Sequence, residues 1–341
     1  MGIHRKMLQD IRDITVIGGG PTGLYAAFYA RMRERSVRLI DSLPELGGQL
    51  TALYPEKYIY DVGGFPKVLA RDLGRNLIDQ ALQFGPEVIL NEEVSDLDRD
   101  GDLIVLRGKK GTYRTRALLL AGGKGAFEPI RLSCPGYDEF LGRGIEFSVI
   151  DQEAYRGKRV LLVGGGDSAV DWALALKDVV SELRLIHRRG VFRALERSVA
   201  QLQNASQVGE LSFRDHHEVR EIRGSDRVEA AVIFDNRSGQ ETVLEVDAVL
   251  TFLGFKPDLG PMKRWGLDLD GNRVVVDGLM RTNLPGVFAV GDMVAYEGKL
   301  DLIATGFSEA AVAVNQAVRL VDPKARVNPG HSTNMKVFKD S

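Results

Sequence analysis

The chain is nearly devoid of cysteine: Cys134 is the one thiol among 341 residues. A single thiol excludes an internal disulfide, a C-x-x-C redox pair and a cysteine-built zinc site, and it suits a reducing compartment. Histidine is scarce too, with five residues and no nucleophile signature around them, and no G-x-S-x-G elbow occurs. Serine and cysteine hydrolase chemistry therefore has no support. His216-His217 lack spaced ligand partners, so no metal is expected. An excess of charge is missing as well. Forty-five Lys and Arg against 47 Asp and Glu leave a net charge of -2, without the basic footprint of a nucleic-acid binder. No apolar run approaches the roughly 18 residues of a membrane helix, and Met1 to Asp13 is too polar for a signal peptide. A cytoplasmic protein without membrane or nucleic-acid partners is expected. What remains, 44% hydrophobic and 27% charged residues, is an ordinary globular composition, long enough for about two domains.

Thirty-eight glycines close short β-branched runs rather than forming a low-complexity tract, which is the punctuation of an α/β sheet. Ile14-Thr15-Val16-Ile17 runs into Gly18-Gly19-Gly20-Pro21-Thr22-Gly23, then a helix-forming stretch from Leu24 to Met32 and a strand Val37 to Ile40. The unit recurs: Arg159 to Val163 runs into Gly164-Gly165-Gly166-Asp167-Ser168-Ala169, a helical Val170 to Lys177 and a strand Leu183 to Ile186. In each motif the first glycine permits a tight turn and the second lets the backbone approach a pyrophosphate. The third, Gly23 or its variant Ala169, lets helix and strand pack closely, and the helix N-terminus adds partial positive charge.

The two units differ where a dinucleotide's ribose would lie. Asp41 stands 23 positions after Gly18, and His187 the same 23 after Gly164. A carboxylate accepts hydrogen bonds from a ribose diol, whereas His187-Arg188-Arg189 with Arg193 offers guanidinium groups to a 2′-phosphate. The second unit thus reads as an NADP(H) site and the first as an FAD site. Gly291-Asp292, after the strand Val287 to Val290 and ahead of the helical Leu302 to Leu320, supports the flavin: a carboxylate there can meet a ribityl chain while the helix N-terminus faces a flavin's pyrimidine edge. The expected fold class is α/β, with two Rossmann-like three-layer nucleotide-binding domains. The NADPH domain (124–254) is inserted in a discontinuous FAD domain (1–123 plus 255–341), and a hinge between them is expected near Gly123 and Gly254.

With both motifs placed, the sequence resembles the low-mass thioredoxin reductases over nearly its whole length. Where those carry a C-x-x-C, however, this chain reads Phe147-Ser148-Val149-Ile150-Asp151, which excludes thioredoxin reduction. It is more similar to the bacterial ferredoxin–NADP reductases of thioredoxin reductase type. The marks are Leu46 to Leu50 (LGGQL), Leu53 to Lys57 (LYPEK), Gly164 to Leu174 (GGGDSAVDWAL), Tyr296 to Lys299 (YEGK) and Pro329 to Thr333 (PGHST).

The resemblance implies FAD contacts from Asp41, Gln49, Tyr54 and Val94, and from Phe127, Asp292 and Thr333. Tyr54 and His331 would lie on opposite faces of the isoalloxazine, His331 coming from the partner subunit of a homodimer. It also implies an FAD-dependent NADPH oxidoreductase whose electron acceptor is ferredoxin or flavodoxin. A quinone or another acceptor, or a flavin redox sensor without turnover, are the alternative readings. Gly190 stands where family members often have Asp, which loosens the basic loop without removing its arginines. An acidic ferredoxin would call for a basic rim, with Lys109, Lys110, Arg114, Arg116, Lys263 and Arg264 as candidates.

Overall fold

The computed structural model describes residues 11–125, 128–256 and 258–334. They fall into two compact units, one made of the residues up to 125 and from 258 onward, the other of Glu128–Lys256.

The first unit opens with β1 (Ile11–Ile17), whose last four residues are all buried. Helix α1 (Pro21–Met32) begins at Pro21 rather than at Leu24, so the end of the glycine motif is the helix's first turn. Proline suits that position because its missing N–H would have had no intrahelical acceptor. Strand β2 (Val37–Ile40) is buried throughout, as a parallel strand covered on both faces should be. Helix α2 (Ala70–Leu82) buries Ala70, Leu73, Leu77 and Ala81 along one stripe and leads to β3 (Glu87–Ile89). An antiparallel meander follows: β4 (Val94–Asp100), β5 (Leu103–Gly108) and β6 (Thr112–Leu120). Strands β3, β2, β1 and β6 lie side by side in that order, all parallel.

The second unit contains β7 (Ile145–Glu146), β8 (Arg159–Gly164), α3 (Asp167–Leu176), β9 (Glu182–Ile186), α4 (Glu196–Gln207) and β10 (Ser212–Arg214). It continues through β11 (His217–Gly224), β12 (Val228–Asp235), β13 (Glu241–Glu245) and β14 (Ala248–Phe252). Strands β7-β14-β8-β9-β10 form a parallel sheet in that order, and β11 to β13 form an antiparallel one. The alternation along β8 explains the layering. Val160 and Leu162 pack with Val170, Trp172 and Leu176 of α3 and Leu202 of α4, while Leu161 and Val163 pack with Val219, Ile222, Ala231 and Ile233 of the antiparallel sheet. One outer layer is therefore helical and the other a small sheet.

Beyond residue 258 the chain rejoins the first unit. Strand β15 (Val287–Ala289) pairs with β6, which is long enough to serve two neighbours along one edge: Thr112 to Thr115 pair with β5, and Leu118 to Leu120 with β15. Helix α5 (Ile303–Val321) lies against α1, its face of Ala310, Ala313, Val314 and Ala317 fully buried. None of the described helices is long and apolar enough to cross a membrane.

Candidate functional site

In the first unit the loop after β1, the N-termini of α1 and α5 and the turn after β15 converge on a cavity of about 440 Å³. Its glycines have separable duties. Gly18 sits at φ +110, and a Cβ there would lie 2.3 Å from the Ala121 carbonyl oxygen. Gly23 does not line the cavity; a Cβ on it would stand 1.8 Å from the Gly18 carbonyl oxygen, so it exists to let α1 close on β1. A Cβ on Gly20 would meet nothing nearer than Gly48 Cα at 3.9 Å. The protein itself thus leaves the space over Gly20 open, a cradle that a side chain would fill. The first N–H groups of α1 have no intrahelical acceptor, and no acid stands in its first turn. This donor set fits a pyrophosphate.

Asp41, at the end of β2, lines the same cavity and is 7% exposed. One carboxylate oxygen accepts the Gly19 N–H and the other the Leu43 N–H, the latter at 2.8 Å. Burial pushes its carboxyl up, and the backbone donors of Leu43, Gly19 and Ser42 pull it back. Asp41 therefore also braces the glycine loop, a duty its spacing did not reveal, and its remaining lone pairs are what it can offer a ribose. Gly20, Thr22, Gln49, Tyr54, Val94 and Asp292 line the cavity as well. The Tyr54 phenol is pushed up to about 12 by burial and then by the charges of Asp292 and Asp61, so it stays protonated. Burial and Asp301 raise the Asp292 carboxyl, while Lys124, Lys299 and Arg273 oppose them.

Two expected contacts are not brought to this cavity, and a third cannot be placed against it. Phe127 lies outside the described residues. His331 and Thr333 are exposed and are not among the residues lining the cavity, so the single chain does not supply them. Conversely, Ser42 and Leu43, the segment Asp258 to Met262, and Leu302-Ile303 do line it. The last pair is the start of α5 and was legible as such, whereas residues 258 to 262 carry no motif that could have announced them. The basic rim is largely neutralised. Lys109 pairs with Glu93, Arg114 with Asp100, Arg116 with Asp13 and Lys263 with Asp258. Lys110 donates to the Leu90 carbonyl at 2.6 Å, and of the six only Arg264 makes no such contact among the described residues.

In the second unit the glycine loop joins β8 to α3. A Cβ on Gly164 would stand 2.6 Å from the Phe252 carbonyl oxygen and 2.8 Å from Ala169 Cβ, while a Cβ on Gly166 would meet nothing within 4 Å. The basic segment after β9 folds back over this loop. Arg193 N–H donates to the Gly165 carbonyl at 2.7 Å, and Leu195 N–H donates to the Asp167 carboxylate at 2.9 Å. Asp167, expected among the NADP contacts, anchors the basic segment through this bond. Exposed Ser168 follows it in the first turn of α3.

The His187 ring lies over Gly165, where a Cβ would come within 2.1 Å of it, and stacks on Phe192 at 5.2 Å. Its pKa is lowered by burial and then by the charges of Arg188, Arg189 and Arg193, against a hydrogen bond with the Val191 carbonyl. The charge of each of the three therefore acts on the ring. All three are exposed and form no ion pair or side-chain hydrogen bond among the described residues. Three uncompensated cations beside an open glycine loop fit a 2′-phosphate. A Cβ at Gly190 would lie 3.0 Å from His216 Nε2, so His216 packs closely on this glycine.

Residues 12–317 match the family model described as pyridine nucleotide-disulphide oxidoreductase. The ferredoxin–NADP reductase of Thermus thermophilus is 50% identical over 328 residues, spanning 96% of this chain and 98% of its own. That of Sulfurisphaera tokodaii is 48% identical over 332 residues, with the same coverage. Among solved structures, the thioredoxin reductase of Lactococcus lactis is 26% identical with a TM-score of 0.78, covering 91% of this chain and 99% of that one. The thioredoxin reductase of T. acidophilum, 24% identical with a TM-score of 0.79, shares the fold. On this match and on the two glycine loops built as described, the chain belongs to the pyridine nucleotide-disulphide oxidoreductase family, among the ferredoxin–NADP reductases.

Proposed function

We propose that this protein is a flavoprotein ferredoxin–NADP(+) reductase, holding FAD in the cavity of the first unit and NADP(H) on the glycine loop of the second. The observation that carries the reading is the contrast between the two loops: one ends in a buried carboxylate, the other in three exposed, uncompensated guanidinium groups. When bound, FAD would supply the two-electron hydride chemistry with NADPH and the one-electron chemistry with an iron-sulfur acceptor. The chain's own part is binding, orientation and control of charge.

Gly18, Gly20 and the N-terminus of α1 would hold the flavin's pyrophosphate, and Asp41 its ribose. Thr22, wedged beside Gly291 and Gly306, fixes the distance between α1 and the Asp292 turn. Tyr54, kept neutral, would give an aromatic wall to the isoalloxazine beside Gln49. In the second unit Gly164, Gly166 and Ala169 would admit the NADP pyrophosphate, and Arg188, Arg189 and Arg193 its 2′-phosphate. Thr333 and His331 would come from the partner subunit of a homodimer; sedimentation at the mass of a single chain would remove this element. The protein would work in the cytoplasm, in line with its single free thiol.

The deciding assay is NADPH-driven cytochrome c reduction by the purified yellow protein with and without ferredoxin. A rate that depends on ferredoxin and prefers NADPH over NADH is expected. Indifference to ferredoxin would move the acceptor to flavodoxin, a quinone or another molecule. Slow turnover with every acceptor would favour a flavin sensor.

His187 supplies a second test. Burial and then the neighbouring guanidinium charges hold its protonation down, and a bound 2′-phosphate provides the missing anion, so binding raises its pKa. NADP+ binding should therefore make His187 take up a proton between its lowered free value and its raised bound one, opposed by the proton that the 2′-phosphate, whose second pKa is about 6, gives up on pairing with the guanidinium groups. NAD+ should cause neither exchange. Calorimetry in two buffers of different ionisation enthalpy reads the net proton, and equal counts for NADP+ with the wild-type and His187→Gln proteins would defeat the assignment.

A further inference from the structure

Behind the Gly291-Asp292 turn lies an ion pair that the binding scheme does not use. Glu309, in the second turn of α5, and Lys299 are almost wholly buried, with side chains 3% and 5% exposed, and meet at 2.7 Å. The same carboxylate accepts the Tyr296 hydroxyl at 2.7 Å and, with its other oxygen, the Gly291 N–H at 2.6 Å. Gly291 and Asp292 line the cavity, as do Leu302 and Ile303 at the start of α5. One carboxylate therefore ties the turn after β15, a buried cation and the helix together directly behind the cavity wall.

Stability alone gives no reason for this pair. Well-packed apolar residues usually replace a buried ion pair at no cost to folding. Charge at this depth does, however, act through a poorly screened medium, and the Lys299 cation already reaches Asp292, whose carboxyl it helps keep ionised.

We propose that Glu309 and Lys299 are positioning residues whose balanced charges hold the Gly291-Asp292 turn and set the reduction potential of the flavin bound beside it. The proposal rests on the cavity being the FAD site. A flavin that has taken up electrons is more negative than one that has not, so any net charge left at this pair shifts the potential by its sign.

The test is an anaerobic dye-coupled titration of the FAD-loaded protein, with FAD affinity and thermal unfolding measured alongside. Glu309→Gln keeps an acceptor for the Gly291 N–H but leaves Lys299 uncompensated, and should raise the midpoint potential. Lys299→Met leaves Glu309 uncompensated and should lower it. The double variant is neutral again and should return to the wild-type value, while Tyr296→Phe, which changes a hydrogen bond and no charge, should leave the potential in place. A purely structural role would weaken FAD binding in both single variants without opposite shifts, so loaded variants that do not move, or move together, overturn the proposal.

If one single variant loses flavin, the sign of the other decides. If both do, the double variant decides: retention of FAD at the wild-type potential supports charge balance, and loss of FAD overturns it. Failure of the wild-type chain to take up FAD would refute the flavoprotein reading itself.

Discussion

Replacing Arg188 and Arg189 together by Ala should lower kcat/KM for NADPH by about 10²- to 10³-fold while leaving that for NADH within about twofold. A hydrogen bond to a charged group contributes about 1.5–3 kcal/mol, so two such losses at about 1.4 kcal/mol per decade give about 10²- to 10⁴-fold, and the solvent exposure of both side chains puts the effect in the lower part of that range. Because both side chains are exposed and unpaired among the described residues, their removal breaks no internal contact, so thermal unfolding should not change. Arg193 differs: its backbone N–H closes on Gly165, so its side chain, not its place in the chain, is what Arg193→Ala removes. That variant should add to the NADPH defect without harming the glycine loop. Asp167→Ala should produce a milder form of the same defect, because it frees the Leu195 N–H that anchors the segment. Steady-state kinetics with both dinucleotides check the set. An equal loss for NADH and NADPH would mean that the arginines bind the shared pyrophosphate, or nothing.

Much of this was legible in the sequence for a local reason. A strand, a glycine turn and a helix in succession can be read from residues close together in the chain, and the 23-residue step from Gly18 to Asp41 or Gly164 to His187 is fixed by the lengths of one helix and one strand. What was not legible depends on residues far apart. That Asp41 braces Gly19, that Asp167 reaches Leu195, or that Glu309 gathers Gly291, Tyr296 and Lys299 requires the fold, because each joins groups that no periodicity relates. The ion pairs of the basic rim were likewise not legible. Lys109, Arg114 and Lys263 looked available in sequence, and their partners Glu93, Asp100 and Asp258 lie on neighbouring strands and turns. The antiparallel layer of the second unit was missed because β11 and β13 are rich in Arg and Glu and bury only Val219, Ile222 and Leu244, which leaves β12 with its buried Ala231 to Ile233 as an isolated apolar run.

The glycines offer the other large effect, and they separate two roles that the motif alone combines. Gly23→Ala places a methyl group 1.8 Å from the Gly18 carbonyl oxygen. Backbone cannot yield there without α1 moving off β1, and α1 is packed against α5 behind it. Overpacking of a core costs about 1–3 kcal/mol where side chains can repack, and a clash with backbone exceeds that. Gly23→Ala should therefore yield a protein with a markedly lower Tm and little bound flavin. Gly20→Ala meets only Gly48 Cα at 3.9 Å, an ordinary contact, so the apoprotein should unfold within about 2 °C of wild type, as surface-like substitutions of about 0.5 kcal/mol or less do at this size. Yet its methyl group stands where the pyrophosphate approaches, and FAD affinity should fall by at least about 100-fold, the loss of roughly two charge-assisted hydrogen bonds. In the second unit Gly166→Ala repeats the logic, since nothing lies within 4 Å of its Cβ: the protein should stay yellow and stable and lose NADPH-driven reduction, while photochemical reduction of its flavin continues. Calorimetry and flavin fluorescence on the three variants distinguish the roles. If Gly20→Ala and Gly23→Ala lost stability equally, the open space over Gly20 would be a packing feature and not a ligand's seat.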